Sequence, residues 1–252
     1  MLALSPWVLG SIGLTVGLLW LFRAEVPPAA LSATNDMIGN ALQTLGTVYA
    51  VLLAFVVFVV WGQFNEARAA VENEANSIGD LYRVLAGLSP PTRDAARRKL
   101  LAYLDEVLGD EWSAMACLDE HTTAALSADL ELVWDELRQA RPADELQHTY
   151  LTEALNRFND LSDARSVRLS TARMRMPFAL RALLYLGAAM TVGLMFFQGV
   201  ESFALHALAA GSLAGAIAHV IYVIEDLDDA FSGDWQVPRE PLERLREHLD
   251  GA

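Results

Sequence analysis

Residues 40–85 read NALQTLGTVYAVLLAFVVFVVWGQFNEARAAVENEANSIGDLYRVL. From Leu42 to Trp61 no charged side chain interrupts the apolar run. A run of about 20 residues, at ~1.5 Å per residue, crosses a ~30 Å hydrocarbon core. No proline follows Asn40 before Leu85, and the only glycines are Gly46, Gly62 and Gly79. Beyond Trp61 the pattern changes. Phe64, Val71, Ile78 and Leu85 recur every seven residues, with Ala67, Leu81 and Leu88 beside them. That spacing gives a helix one apolar seam for partner helices. The stretch predicts a single helix of about 45 residues, half of it in lipid and half in water.

Three further apolar blocks flank it: Ala3–Phe22, Phe178–Phe197 and Phe203–Ile224. Four such blocks predict an all-α integral membrane protein of four transmembrane helices, with a helical cytoplasmic bundle inserted between spans two and three. The expected organisation is 1–61 for spans one and two, 62–177 for the cytoplasmic helical region, 178–224 for spans three and four, and 225–252 for a cytoplasmic tail. The first block has no Lys or Arg before it and exceeds the ~7–15 residues of a signal-peptide core, so a retained helix is expected, with cleavage near Ala33 as the alternative. Inside the insert, Ser89-Pro90-Pro91 ends one helix and starts the next, with Ser89 as cap. Leu100, Leu104, Val107, Leu108, Trp112 and Met115 keep helical spacing. A third helix is expected over Ala124–Gln139, burying Leu130, Val133, Trp134 and Leu137. A fourth is expected over Ala143–Met176, carrying Leu146, Tyr150, Ala154, Leu155, Phe158 and Leu161 and running on into span three.

Arginine near the span ends sets the orientation. Linker Arg23–Ala41 has one Arg and linker Gln198–Ser202 has none, whereas Arg165, Arg168, Arg173 and Arg175 precede span three. The insert and both termini are therefore expected in the cytoplasm. Arg181, at the mouth of span three, reads as a snorkelling cation or a pore charge. The chain carries a net charge of −14, which argues against nucleic acid as a partner. Cys117, the one cysteine, permits no internal disulfide and reads as a buried thiol. No metal-site, nucleotide-binding or nucleophile motif occurs, and no convergent catalytic set is visible, so an enzyme is not expected.

Candidate functional residues lie in the spans. One face of span two carries Thr44, Val48, Val51, Phe55 and Phe58; around an oligomer axis it would form a hydrophobic constriction that gates by wetting, and otherwise it faces lipid or neighbouring spans. Span four carries Ala207, Gly211, Gly215 and His219 on one stripe. Small residues there make a packing groove, with His219 a buried histidine bonded to a neighbour or a pH-sensing group. After it come Glu225, Asp226, Asp228 and Asp229, oxygen ligands for Ca²⁺ or a solvated acidic turn. No other cofactor is expected.

Several stretches resemble the bacterial four-span bestrophin-like family: Leu45–Phe55 through Trp61 to Val71-Glu72-Asn73-Glu74-Ala75, Leu81-Tyr82-Arg83, Tyr103, Glu111-Trp112, Arg165-Ser166-Val167-Arg168-Leu169 with Pro177, and Asp228-Asp229-Ala230-Phe231-Ser232-Gly233 with Pro238, Glu240, Pro241 and Leu242. The resemblance implies a bacterial inner-membrane location and a homo-oligomer, pentameric as in bestrophins. It also implies passage of small ions, anions by that likeness, along the second helix, and a Ca²⁺ role for the acidic segment. The chain departs from bestrophins in lacking a proline pair in span two and in reading Asp-Ala-Phe-Ser-Gly after span four. A net acidic vestibule repels anions unless basic runs such as Arg97-Arg98-Lys99 offset it, so cation conduction is the variant reading. A membrane-anchored scaffold or sensor, whose bundle binds a protein partner, fits the same residues.

Overall fold

The computed structural model describes residues 4–117 and 128–250. His121 and the expected helix start at Ala124 lie outside the described residues. The main helices are α1 (Leu4–Glu25), α2 (Asn35–Val84), α3 (Pro90–Glu106), α4 (Trp112–Ala116), α5 (Ala128–Gln139), α6 (Glu145–Arg173), α7 (Phe178–Phe196), α8 (Phe203–Asp228) and α9 (Glu240–Asp250). No strand occurs among the described residues. The segments Ser5–Glu25, Pro28–Gly87, Glu145–Phe196 and Phe203–Asp228 each hold a stretch long and apolar enough to cross a membrane.

The chain divides into two units. The first comprises Met1–Gly62 and Arg175–Asp228. Within it α8 packs on α1 and α7. Gly211 and Gly215 let the helices approach: a Cβ on Gly215 would sit 2.9 Å from Ile12 Cδ1, and one on Gly211 would sit 3.3 Å from Ile12 Cγ2. Tyr49 of α2 lies against Ile217 and Ile221 of α8, and its hydroxyl donates to the Leu184 carbonyl of α7 at 2.9 Å. The tyrosine ring occupies the space over Gly187, where a Cβ would come within 2.5 Å. Small residues thus set helix spacing where lipid supplies no hydrophobic force between helices. Leu9, Leu14, Leu186 and Leu208 stand exposed, which a bilayer accommodates and water does not.

The second unit comprises Gln63–Met174 and Asp229–Ala252. The seam of α2 is its core: Val71, Ile78, Leu81 and Leu85 are fully buried, with Phe64, Ala67 and Leu88 nearly so. Ser89 stands at the N-cap of α3 with Pro90 first in the helix, but its hydroxyl bonds the Thr92 side chain rather than a backbone amide. A π-helical turn, Val107–Glu111, joins α3 to α4. The extra residue per turn brings Glu111 and Trp112 inward together, and both are buried.

Four expectations change. The long helix starts at Asn35, earlier than Asn40, because nothing in Asn35–Ile38 breaks it. The helix before span three does not run on. It ends at Arg173, where Met174 turns extended, and Pro177, without an N–H, starts α7 afresh. Leu146 and Tyr150 stand exposed on α6, so the buried face starts at Ala154. Cys117 is exposed, because it falls at the end of α4. The terminal segment is part of the second unit: Phe231 packs edge-on to Trp112 with ring centroids 5.4 Å apart, Arg239 lies 5.3 Å over the same indole, and Arg246 pairs with Asp105 at 2.6 Å. Leu242 and Leu249 of α9 are buried.

Candidate functional site

In the first unit α2 has two unlike sides. Tyr49, Val56 and Val60 are buried, Tyr49 against α7 and α8. Thr44, Val48, Val51, Phe55 and Phe58 all stand exposed on the single chain, Phe58 at 75%. Their spacing of four, three, four and three residues keeps them on one stripe. Thr44 spends its hydroxyl on the Asn40 carbonyl at 2.9 Å, so the stripe offers little beyond apolar surface. In the second unit the same spacing continues through Asn65, Ala69, Glu72 and Asn76, all exposed as well.

The stripe on α8 splits. Gly211 and Gly215 are buried and Ala207 half-buried, whereas His219 is exposed rather than buried among neighbours. Each four-residue step drifts by about 40°, which carries His219 off the face that meets α1. Among the described residues the buried histidine is His206.

The four carboxylates after span four do not converge. Glu225, Asp226 and Asp228 lie within α8 rather than in a turn. Buried Asp228 accepts the Met176 N–H at 2.6 Å and Arg181 Nη2 at 2.7 Å. Glu225 forms an ion pair with Arg181, 3.1 Å from its Nε, and accepts the Tyr185 hydroxyl at 3.3 Å. Arg181 therefore clasps the start of α7 to the end of α8, a role beyond snorkelling. Among the described residues no three His, Cys, Asp or Glu side chains gather as for a metal ion.

The second unit holds a charge network at its centre. Glu74 of α2 accepts from the Tyr103 hydroxyl of α3 and from Arg168 Nε of α6, and also from Arg168 Nη2 at 3.1 Å. Arg168 Nη2 reaches Glu111 Oε1 at 2.6 Å, and Arg165 Nη2 reaches Glu111 Oε2 at 3.0 Å. Glu74, Glu111 and Arg168 are fully buried. Two carboxylates face two guanidiniums, so the cluster is neutral and its bonds are charge-assisted. Burial works against the Arg168 charge, yet Glu74 beside it outweighs that and holds its pKa above the ordinary arginine value. Burial, reinforced by the negative charge of Glu74, pushes the Tyr103 hydroxyl well above the usual tyrosine range. None of these five residues is singled out as a site in the sequence. The readable signal is Glu74 itself, a charge at the seam position between Ala67 and Leu81.

A family model described as a bestrophin-like domain matches residues 9–242. The chain belongs to the bestrophin-like family. Among solved structures, this bestrophin-like chain is similar to a bacterial bestrophin homologue from Klebsiella pneumoniae carrying a point mutation, with a TM-score of 0.74 at 19% identity, covering 96% of this chain and 98% of that one. The homologue from the same organism solved by zinc phasing gives a TM-score of 0.72 at 18% identity, covering 96% and 97%. No curated protein matches. At such identities the likeness concerns the fold. In this bestrophin-like protein the stretches behind the resemblance, around Glu74, Tyr103, Glu111 and Arg165–Arg168, supply the buried network.

Proposed function

We propose that this bestrophin-like protein is an oligomeric channel for small ions whose α2 helices line the pore. The observation that carries the reading is the exposed stripe Thr44, Val48, Val51, Phe55 and Phe58, on a helix whose other side is packed. Copies arranged around an axis would turn that stripe inward and form an apolar constriction gated by dewetting. The arginine asymmetry supports a bacterial inner-membrane protein with the polar unit and both termini in the cytoplasm. Family resemblance implies five copies and anions. In the second unit the charges that α2 presents are Glu66, Arg68, Glu72, Asp80 and Arg83, net −1, and the whole chain is at −14. Arg68 is spent on Glu72 at 3.2 Å. Those charges favour cations, and cation passage is the ion sign proposed.

Purified protein in planar bilayers under a salt gradient tests this. Unitary currents with a reversal potential on the cation side are expected. An anion-side reversal would keep the channel and reverse the ion sign. Silence across pH and both ion types would overturn the channel in favour of a membrane-anchored scaffold whose polar unit binds a protein partner.

A further inference from the structure

Within the membrane-spanning unit α8 packs on both α1 and α7, and those two leave an apolar groove between them. It encloses about 400 Å³. One wall runs from Trp7 to Leu18 of α1, the other from Tyr185 to Phe196 of α7, and Ala214 and Ala218 of α8 lie between. Small residues make the room, and a Cβ on Gly193 of the α7 wall would meet nothing within 4 Å. No charged side chain lines the groove. Its polar hydrogens are spent on backbone: the Trp7 indole N–H donates to the Ala218 carbonyl at 3.2 Å, and the Ser11 hydroxyl to the Val8 carbonyl at 2.9 Å.

The two ends differ. At the Leu18 end Phe196 packs on Phe22 of α1 with ring centroids 6.0 Å apart, and Phe197 packs on the same ring at 5.1 Å. These rings bridge α1 and α7 and stop the groove there. At the other end the Tyr185 hydroxyl donates to Glu225, one turn past Ile221 of the lining, at 3.3 Å. Arg181, one turn before Tyr185, pairs with Glu225 at 3.1 Å and with Asp228 at 2.7 Å. One cation against two carboxylates leaves this end with an excess negative charge.

Length, width and charge select the occupant. From Trp7 to Leu18 the helix rises ~16 Å, close to the ~15 Å that one leaflet contributes to a ~30 Å hydrocarbon core. A helix is ~10 Å across with its side chains, so ~16 Å of one fills roughly three times the volume of the groove. A span of a second copy is therefore too wide, whereas a single hydrocarbon chain fits. The negative excess at the open end attracts an ammonium group and repels a headgroup of net negative charge. We propose that this groove binds one acyl chain of a zwitterionic phospholipid, with the headgroup ammonium against Glu225 and the phosphate beside Arg181. The site lies within one unit and is independent of conduction, so its failure is separate from failure of the channel reading.

Native mass spectrometry of the full chain in detergent tests it, with phosphatidylethanolamine or phosphatidylglycerol of identical acyl chains added. Wild type is expected to retain about two- to fivefold more phosphatidylethanolamine, the worth of one partly exposed ion pair. Gly193→Phe fills the groove and is expected to lose that lipid. Gly13→Phe, at an exposed glycine of α1 outside the lining, is expected to keep it. Glu225→Gln is expected to hold both lipids alike. Equal retention by wild type and Gly193→Phe overturns the site, as does phosphatidylglycerol held as well as phosphatidylethanolamine by wild type. Loss of subunit association rather than of lipid in Gly193→Phe gives the groove to a second copy and also overturns it. Should Gly193→Phe fail to fold, phosphatidylethanolamine brominated on its chains gives the same decision. It is expected to quench Trp7 emission, read as wild type minus Trp7→Phe, more than brominated phosphatidylglycerol does, and equal quenching overturns the proposal.

Discussion

Arg168 holds two carboxylates, one from α2 and one from the π-helical turn after α3, in a fully buried place. Removing one member of such a cluster leaves the opposite charge buried and unpaired. Arg168→Met is therefore expected to cost about 3–5 kcal/mol in denaturant unfolding of the detergent-solubilised protein. The double variant Arg168→Met with Glu74→Gln is expected to recover part of that loss, since it removes opposite charges together. Tyr103 adds a pH dependence. Its hydroxyl is held well above the ordinary value by burial and by Glu74, so the folded state keeps a proton that the unfolded chain gives up near pH ~10. The contribution is complete below that pH and falls away above it. Tyr103→Phe is expected to flatten the alkaline limb of a stability-against-pH curve. At this scale the sequence was partly legible. The seven-residue period named the buried residues of α2, and Glu74 interrupts that period visibly. Its partners were not legible, because Tyr103, Glu111 and Arg168 lie 29 to 94 residues away and meet only through tertiary packing.

The helices tell the same story of local rules and distant partners. The four apolar runs, the proline before α3 and the seam of α2 each follow from local spacing, and each is a helix in the structure. The break between α6 and α7 follows from Pro177, whose missing N–H and fixed φ favour a fresh helix start over a continued one. The fold of the terminal segment into the second unit has no local signature beyond the amphipathic spacing of Leu242 and Leu249. Two helix-scale outcomes are expected. Gly187→Ala has to displace the Tyr49 ring, whose atoms lie 2.5 Å from the new Cβ, and is expected to lower stability by about 1–3 kcal/mol through overpacking. The half-buried Gly193, with nothing within 4 Å of a Cβ, is expected to accept alanine with little change, and paired thermal melts check both. Deleting Glu240–Asp250 strips Leu242 and Leu249 from the core and Arg246 from Asp105. Faster proteolysis of the second unit is the expected result.

For the whole molecule the question is what covers the apolar stripe of α2. Around an axis, Val51, Phe55 and Phe58 would meet their own copies, and Glu66 and Glu72, exposed further along α2, would set the sign of the attraction for ions. Neutralising the two exposed acids with Glu66→Gln and Glu72→Gln is expected to move the reversal potential towards the anion side, because fewer negative walls leave less attraction for cations. Thiol accessibility tests the stripe most directly. In a Cys117→Ser background, which removes the one native thiol, cysteines placed at Thr44, Val48 and Val51 are compared with one at exposed Leu183 of α7. Charged thiol reagents are expected to block current through the three stripe variants and to leave the Leu183 variant unchanged. Block at Leu183 with none at Val51 would contradict the assignment of α2 to the pore.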